Sequence, residues 1–227
     1  MLKGPTNLDL SLALALLDKR IGELEGRIAD LSASIERMKS EADSLSERVD
    51  RLVRRVLEGT VLLAAVVVAS MLLGPVGPLS KVYRFVTLAA LGGAVLLWGI
   101  LRIGTSRLER KKASLDDEIA KRVMQLEDLE AEVRVMGEIR SALGIAHGGD
   151  LLRAYRELSE TVMRLESTSE ALEAILIGIK ALAEGAPRDY AVKLAAGLEK
   201  RAWEQPQGSW ERAAILSLAD ALSRVAK

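Results

Sequence analysis

The chain contains no cysteine, and its 227 residues include one phenylalanine and one histidine. The lack of cysteine excludes disulfides, thiolate nucleophiles and cysteine metal ligands. The single histidine, His147, has no second histidine or convergent carboxylate motif with which to form a metal site or an acid-base pair. Aromatic residues make up only 3% of the sequence. Such a composition favours long helices over a globular mixed fold.

The net charge is zero, because 32 basic residues balance 32 acidic ones. This balance gives no overall electrostatic attraction to nucleic acid. The Gly148-Gly149 pair lacks the lysine and the serine or threonine of a phosphate-binding loop, so a simple turn is the better interpretation. The sequence therefore predicts no enzyme, no catalytic or metal residues, no cofactor and no nucleic-acid partner.

Two long apolar runs dominate the middle of the chain. Residues 59–80 and 85–101 contain 22 and 17 residues without a charge, and the polar cluster 81–84 separates them. At about 1.5 Å of rise per residue, the first run can cross a bilayer core of about 30 Å, while the second is slightly short. The runs predict a membrane hairpin of two short transmembrane or re-entrant helices. A buried hydrophobic hairpin in a soluble protein is the competing interpretation.

The flanking charges predict the orientation of the hairpin. Basic residues are dense before the first run and after the second, while only Lys81 and Arg84 lie between them. By the positive-inside rule, both termini and both helical arms lie on the cytoplasmic side of an integral membrane protein. The residues predicted to lie at the membrane interface are Arg54, Arg55, Lys81, Tyr83, Arg84, Trp98, Arg102 and Arg107.

A heptad pattern precedes the hairpin. Apolar residues alternate in steps of three and four, which is typical of a coiled coil. The predicted oligomerisation seam comprises Ile21, Leu24, Ile28, Leu31, Ile35, Met38, Leu45, Val49, Leu52 and Val56. Its β-branched residues at a positions and its Leu or Met at d positions favour a parallel two-stranded coil. The seam therefore predicts a homodimer or a higher oligomer.

The helix that returns from the membrane, predicted from about residue 105 to 146, has a less regular stripe. A strict heptad places Lys112, Arg122 and Arg140 at seam positions. Two geometries remain open: an antiparallel pair within one chain, or parallel pairing of first helices between chains. A four-helix bundle of two hairpins satisfies both.

The C-terminal third predicts a small helical bundle. Asp150 caps a helix whose heptad runs to residue 183, unless Ser169 caps a new one, and Gly185-Ala186-Pro187 ends the run. Two shorter helices follow, at about 189–203 and 210–226, with Ser209 as a cap and Tyr190 among the residues expected to close the bundle. Trp203 and Trp210 flank the intervening turn. They are candidates for docking a partner protein, although tryptophans at a turn more often seal a core.

Together these patterns predict an all-α protein with four parts: an N-terminal coiled-coil helix (1–58), a membrane hairpin (59–103), a returning coiled-coil helix (104–147) and a C-terminal helical domain (148–227). The function that we expect is a membrane-anchored coiled-coil scaffold or tether. It would contact the lipid bilayer, associate with itself and present residues 150–227 to another protein. The alternatives are a membrane-shaping hairpin wedge and a two-helix transmembrane signal relay.

Overall fold

The computed structural model describes residues 8–73, 80–165 and 167–226, and this part of the chain is all helical, as predicted. No strand occurs within these residues. The helices are α1 (Ser11–Leu73), α2 (Ser80–His147), α3 (Leu151–Arg164), α4 (Glu170–Glu184), α5 (Arg188–Glu204) and α6 (Trp210–Val225).

Side-chain caps set most of the shorter boundaries. Asp150, Ser169 and Ser209 each accept a hydrogen bond of 3.2 Å from the backbone N–H three residues later, which satisfies a free amide of the first turn. The cap at Ser169 settles the alternative left open by the heptad, because α3 and α4 are separate helices. At the other end of α4, Gly185 adopts a left-handed conformation with φ of 69° and closes the helix as predicted.

The two long helices are more continuous than the sequence suggested. The expectation of a separate returning helix from residue 105 is wrong, since α2 runs from Ser80 through both the apolar run and the polar arm. Likewise, the polar cluster 81–84 that lies between the two runs is helical and belongs to the start of α2. A lone helical glycine such as Gly104 costs only about 1 kcal/mol, which does not break a helix. Because proline interrupts a helix and threonine or asparagine can cap one, the sequence predicts a break near residues 74–78 and a cap at Thr6 or Asn7; these positions lie outside the described residues.

Packing divides the chain into two compact units, residues 1–30 with 126–227 and residues 31–125. In unit 31–125, the later part of α1 packs against the early part of α2. Lys111 Nζ lies 2.8 Å from Glu41 Oε1, and an added Cβ at Gly104 would lie 3.4 Å from Leu52. The residue numbers of these contacts increase along α1 while those of their partners decrease along α2. These parts of the two helices are therefore antiparallel within one chain. The predicted four-part domain division stays a prediction.

The predicted seam residues face inward in both units. All are buried or half-buried, whereas most of their neighbours on α1 are exposed. Buried are Leu24, Ile35 and Leu45; half-buried are Ile21, Ile28, Leu31, Met38, Val49, Leu52 and Val56. In unit 31–125 the covering helix is α2 of the same chain. Oligomerisation through this seam stays a prediction.

The basic residues that disturb the α2 heptad find polar partners on α1. In unit 31–125, Lys112 Nζ donates to Ser46 Oγ at 2.7 Å, and Arg122 donates to the Ser34 hydroxyl. In the other unit, Arg140 donates to the carboxylate of Asp18. This hydrogen bond lowers the pKa of Asp18 from its ordinary value. These pairs explain why serine occupies positions beside the α1 seam, where charged residues usually pair two coiled-coil strands.

The core of unit 1–30 with 126–227 is built from all six helices. The N-terminal side chains Leu8, Leu10 and Leu17 belong to the same buried cluster as Ile215 and Leu218 of α6. The shorter helices contribute many alanines, which permits close helix approach. Tyr190 was expected to close the bundle, but its side chain is 52% exposed. The inward face of α5 instead begins one residue later and carries Ala191, Ala195, Leu198 and Ala202.

Gly178 marks the tightest of these approaches. A Cβ added there would lie 3.1 Å from Leu218 Cδ1 and 3.3 Å from Leu198 Cδ1. We expect Gly178→Val to lower the free energy of unfolding by about 2 kcal/mol, because the larger side chain overpacks the core. Gly197→Val is the matched control, since a Cβ at Gly197 meets nothing within 4 Å. Thermal unfolding followed by circular dichroism measures both; equal destabilisation of the two variants would contradict the packing.

Candidate membrane-facing surface

Large apolar side chains are exposed along both helices of unit 31–125. Most of the exposed apolar side chains that the structure describes fall in two ranges, 53–72 and 85–103. Leu62, Leu72, Phe85, Leu88 and Leu96 are each more than two-thirds exposed. Soluble monomers rarely expose a contiguous apolar patch larger than a few hundred Å². Such a surface requires a cover that is itself apolar.

One helix, within 84–147, is long and apolar enough to cross a membrane, and only 6% of its most apolar window is buried. A mostly buried window would instead indicate the core helix of a soluble protein. The first predicted run, 59–80, ends in residues that the structure does not describe, so the finding concerns the described residues alone. The structure thus supports the prediction that the chain contains a helix long and apolar enough to cross a membrane.

Small residues bring the two apolar segments close together. An added Cβ at Gly59 would lie 3.2 Å from Leu97, and one at Gly93 would lie 3.6 Å from Leu63. Small residues are the usual means of close helix approach in membranes. By contrast, an added Cβ at Gly92 or Gly99 of the same run meets nothing within 4 Å.

Two threonine hydroxyl groups beside this surface are hydrogen-bonded within their own helices. Thr60 Oγ1 donates to the carbonyl of Val56 at 2.7 Å, and Thr105 Oγ1 donates to the carbonyl of Leu101 at 2.8 Å. A polar group facing hydrocarbon is costly unless it is hydrogen-bonded. These bonds make both threonines compatible with an apolar environment.

The predicted interface residues occupy exposed positions where their side chains are described. Trp98 is 59% exposed, and the guanidinium of Arg102 lies 5.4 Å from the centre of its ring. Arg54 pairs with a carboxylate one turn later, and Arg55, Arg84 and Arg107 are exposed. Lys81 and Tyr83 lie in the first turn of α2, but their side chains are outside the described part.

A basic cleft lies where the apolar surface gives way to charged residues. It has a volume of about 440 Å³ and is lined by Arg48, Arg51, Leu52, Arg55, Val56 and Ile100. Three guanidinium groups thus adjoin an apolar floor. Sequence reasoning recognised the arginines as a basic cluster but missed the cleft, because the position of Ile100 beside Val56 depends on the register between the helices.

The predicted docking tryptophans have different environments. Trp210 is 7% exposed and belongs to the core of its unit, whereas Trp203 is 68% exposed. The guanidinium of Arg212 lies 4.4 Å from the centre of the Trp203 ring. Only Trp203 therefore presents its ring at the surface, and partner docking stays a prediction.

A second cleft, of about 390 Å³, lies beside Trp210 and has a mixed lining. Leu16 and Met136 provide apolar surface, while Arg20, Glu23 and Glu132 provide charges of both signs. Arg20 lies 3.7 Å from both carboxylates, so the charges largely compensate one another. No sequence pattern indicated this cleft, since it requires α1 to pack beside the start of α6.

His147 has a structural contact that the sequence did not predict. The residue is exposed, but its Nδ1 lies 3.0 Å from the carbonyl oxygen of Leu8. The same atom lies 3.3 Å from the Leu10 amide nitrogen, from which it accepts when unprotonated. The last residue of α2 is thus tied to the chain that precedes α1.

Within the described ranges, no group of three or more histidine, aspartate or glutamate side chains is placed to hold a metal ion. The other lowered carboxyl pKa values also have structural causes. The pKa of Glu41 is lowered by the hydrogen bond from Lys111, and that of Asp9 by hydrogen bonds from Ser11 at the start of α1. Both carboxylates lie at exposed positions, and their lowered pKa values follow from hydrogen bonds within and between the helices.

Comparisons with protein-family models, with curated proteins and with solved structures find no match to this chain. Its function is therefore argued from the geometry of the described residues.

Proposed function

We propose that the protein is a membrane-anchored helical scaffold or tether. The single observation that carries this proposal is the exposed, uncharged apolar surface on the paired helices of unit 31–125. In lipid that surface needs no further cover, and α-helices satisfy their backbone hydrogen bonds internally. In water the same side chains would have to be buried by another molecule.

The lengths of the two runs are compatible with a short hairpin. The part of the first run that lies in α1, residues 59–73, spans about 22 Å, and residues 85–101 of α2 span about 26 Å, against a bilayer core of about 30 Å. Neither run contains an ionisable residue. Ion and proton pathways through membranes generally need such groups or a polar lining, so the composition favours an anchor over a transporter.

The scaffold role rests on what the anchor carries. In our proposal, both helical arms lie on the cytoplasmic side, and the bundle built from residues 126–227 and the N-terminal 30 residues provides the surface for a partner protein. The exposed Trp203 is the residue that we assign to docking, because exposed aromatic rings frequently anchor protein interfaces. The covered seam favours a stalk formed within one chain. Mass measurement of the intact complex in mild detergent tests the predicted homo-oligomer.

A membrane-shaping wedge is a second candidate, favoured by the shortness of both apolar segments and by the end of α1 at Leu73. A hairpin that enters only one leaflet displaces lipid on one side and bends the bilayer. Reconstitution into vesicles separates the two roles, since a wedge increases vesicle curvature as the protein content rises, whereas a tether leaves the curvature unchanged.

The absence of cysteine allows a direct test of the topology. Single cysteines replacing Ser11, Lys81 and Lys193 are labelled with a membrane-impermeant maleimide in sealed cell-derived vesicles, before and after permeabilisation. We expect Ser11→Cys and Lys193→Cys to react from the same side. For a spanning hairpin, Lys81→Cys reacts only from the opposite side. Labelling of Ser11→Cys and Lys193→Cys from opposite sides would overturn the proposed hairpin.

A further inference from the structure

We propose that the basic cleft on α1 binds the phosphate of an anionic lipid headgroup. The proposal rests on the membrane anchoring proposed above and adds a ligand class and a site to it. Its elements are three arginines on one face of α1, the apolar residues between them and one residue of α2.

The arginines form a continuous basic face. Arg48, Arg51 and Arg55 follow one another in steps of three and four residues, so they project from the same side of the helix. Leu52 and Val56 each follow one of the arginines and line the same cleft, which Ile100 of α2 completes. An anion bound to the guanidinium groups would therefore also contact an apolar surface.

The positive charge of the cleft is incompletely compensated. Arg51 lies 3.9 Å from a carboxylate oxygen of Glu47, a loose ion pair between exposed side chains. Within the described part of the chain, no carboxylate lies within ion-pair distance of Arg48 or Arg55. By contrast, Arg54, which does not line the cleft, is paired with Glu58 at 3.2 Å. The cleft thus offers guanidinium groups whose fork of N–H donors matches phosphate oxygens.

The position of the cleft favours a lipid over a soluble phosphate compound. The uncharged run on α1 begins at Gly59, one helical turn beyond Arg55, and the uncharged run on α2 ends at Leu101, one residue after Ile100. The lining therefore changes from charged to apolar at the level where headgroups meet acyl chains. A volume of about 440 Å³ lies in the usual range for small-molecule sites.

The test compares a cleft variant with a variant of equal charge change. The cleft variant combines Arg48→Gln, Arg51→Gln and Arg55→Gln; the control combines Arg54→Gln, Arg107→Gln and Arg110→Gln. Each full-length protein is incubated in mild detergent with equal amounts of phosphatidylglycerol and phosphatidylcholine, and the lipids retained are counted by intact-complex mass spectrometry. We expect the cleft variant to bind phosphatidylglycerol at least about tenfold more weakly than the wild type, and the control to stay within about twofold.

Equal losses in both variants would show only general attraction to basic residues and would overturn the site. A repeat with excess inorganic phosphate distinguishes the sources of the anion: unchanged lipid retention supports a lipid site, whereas displacement of the lipid would assign a soluble phosphate ligand instead.

Insertion into pure phosphatidylcholine vesicles is measured separately. If all three proteins insert but the cleft variant retains phosphatidylglycerol like the wild type, the headgroup site alone fails. If none inserts, the proposed anchoring fails and this proposal fails with it.

Discussion

Replacing Leu91 and Val95 together with aspartate is expected to release most of the protein from membranes. The two side chains are 52% and 69% exposed and flank the middle of the uncharged run on α2. An aspartate near the centre of a membrane helix costs about 3 kcal/mol, so the double substitution opposes insertion by about 6 kcal/mol. Flotation of membranes after alkaline extraction measures the retained fraction, which we expect to fall at least tenfold.

Met124 and Leu152 provide the matched control. Both are apolar and about two-thirds exposed, but they lie outside the two uncharged runs. The double variant Met124→Asp/Leu152→Asp adds the same charge and should float like the wild type. Equal loss from membranes in both pairs would indicate a general effect of charge. A wild-type chain that remains monodisperse in detergent-free buffer would refute the membrane assignment itself.

Helix content and the shorter helix boundaries could be predicted from the sequence because their determinants are local. Asp150, Ser169 and Ser209 act within three residues of their own positions, and the left-handed conformation at Gly185 needs only the absence of a Cβ. The uncharged runs were equally visible, since burial in lipid depends on composition over about 20 residues and not on a distant partner.

The helix that packs against the α1 seam could not be predicted from local sequence in this way. A heptad stripe shows that a face is covered but not by which helix, and the a and d residues favoured a parallel dimer. The information that favours the intrachain pair lies in the misfits on the other helix. Lys112 and Arg122 disturb the α2 heptad, and each meets a serine on α1. Such a match becomes a signal only when both helices are aligned antiparallel.

For the basic cleft, too, the sequence of one helix predicts only part of the site. Arg48, Arg51 and Arg55 share a helix face, which the sequence alone reveals. The apolar wall supplied by Ile100 requires the register between α1 and α2, which no pattern within one helix reveals. The composition of a site can thus be predicted from one helix, whereas its shape depends on the pairing.

Leu17→Ala is expected to destabilise the C-terminal helices, although residue 17 lies far from them in sequence. Its side chain is fully buried in the cluster that contains Trp210 and Leu218. Truncating a buried leucine to alanine typically costs about 2–5 kcal/mol, through lost transfer energy and the cavity that remains. The sequence assigned residues 1–58 and 148–227 to different domains, and in that division the substitution would leave the C-terminal domain unchanged.

The fluorescence of Trp210 distinguishes these possibilities. In a background of Trp98→Phe and Trp203→Phe, Trp210 is the only remaining tryptophan, and its emission follows denaturant unfolding of the core around α6. We expect Leu17→Ala to move the Trp210 transition to lower denaturant. Leu12→Ala, five residues earlier on α1 at a side chain that is 63% exposed, should leave the transition in place. Only a shared core couples Leu17 to Trp210. If Leu17→Ala and Leu12→Ala give the same Trp210 transition, the core is not shared, and residues 148–227 fold without the N-terminal helix.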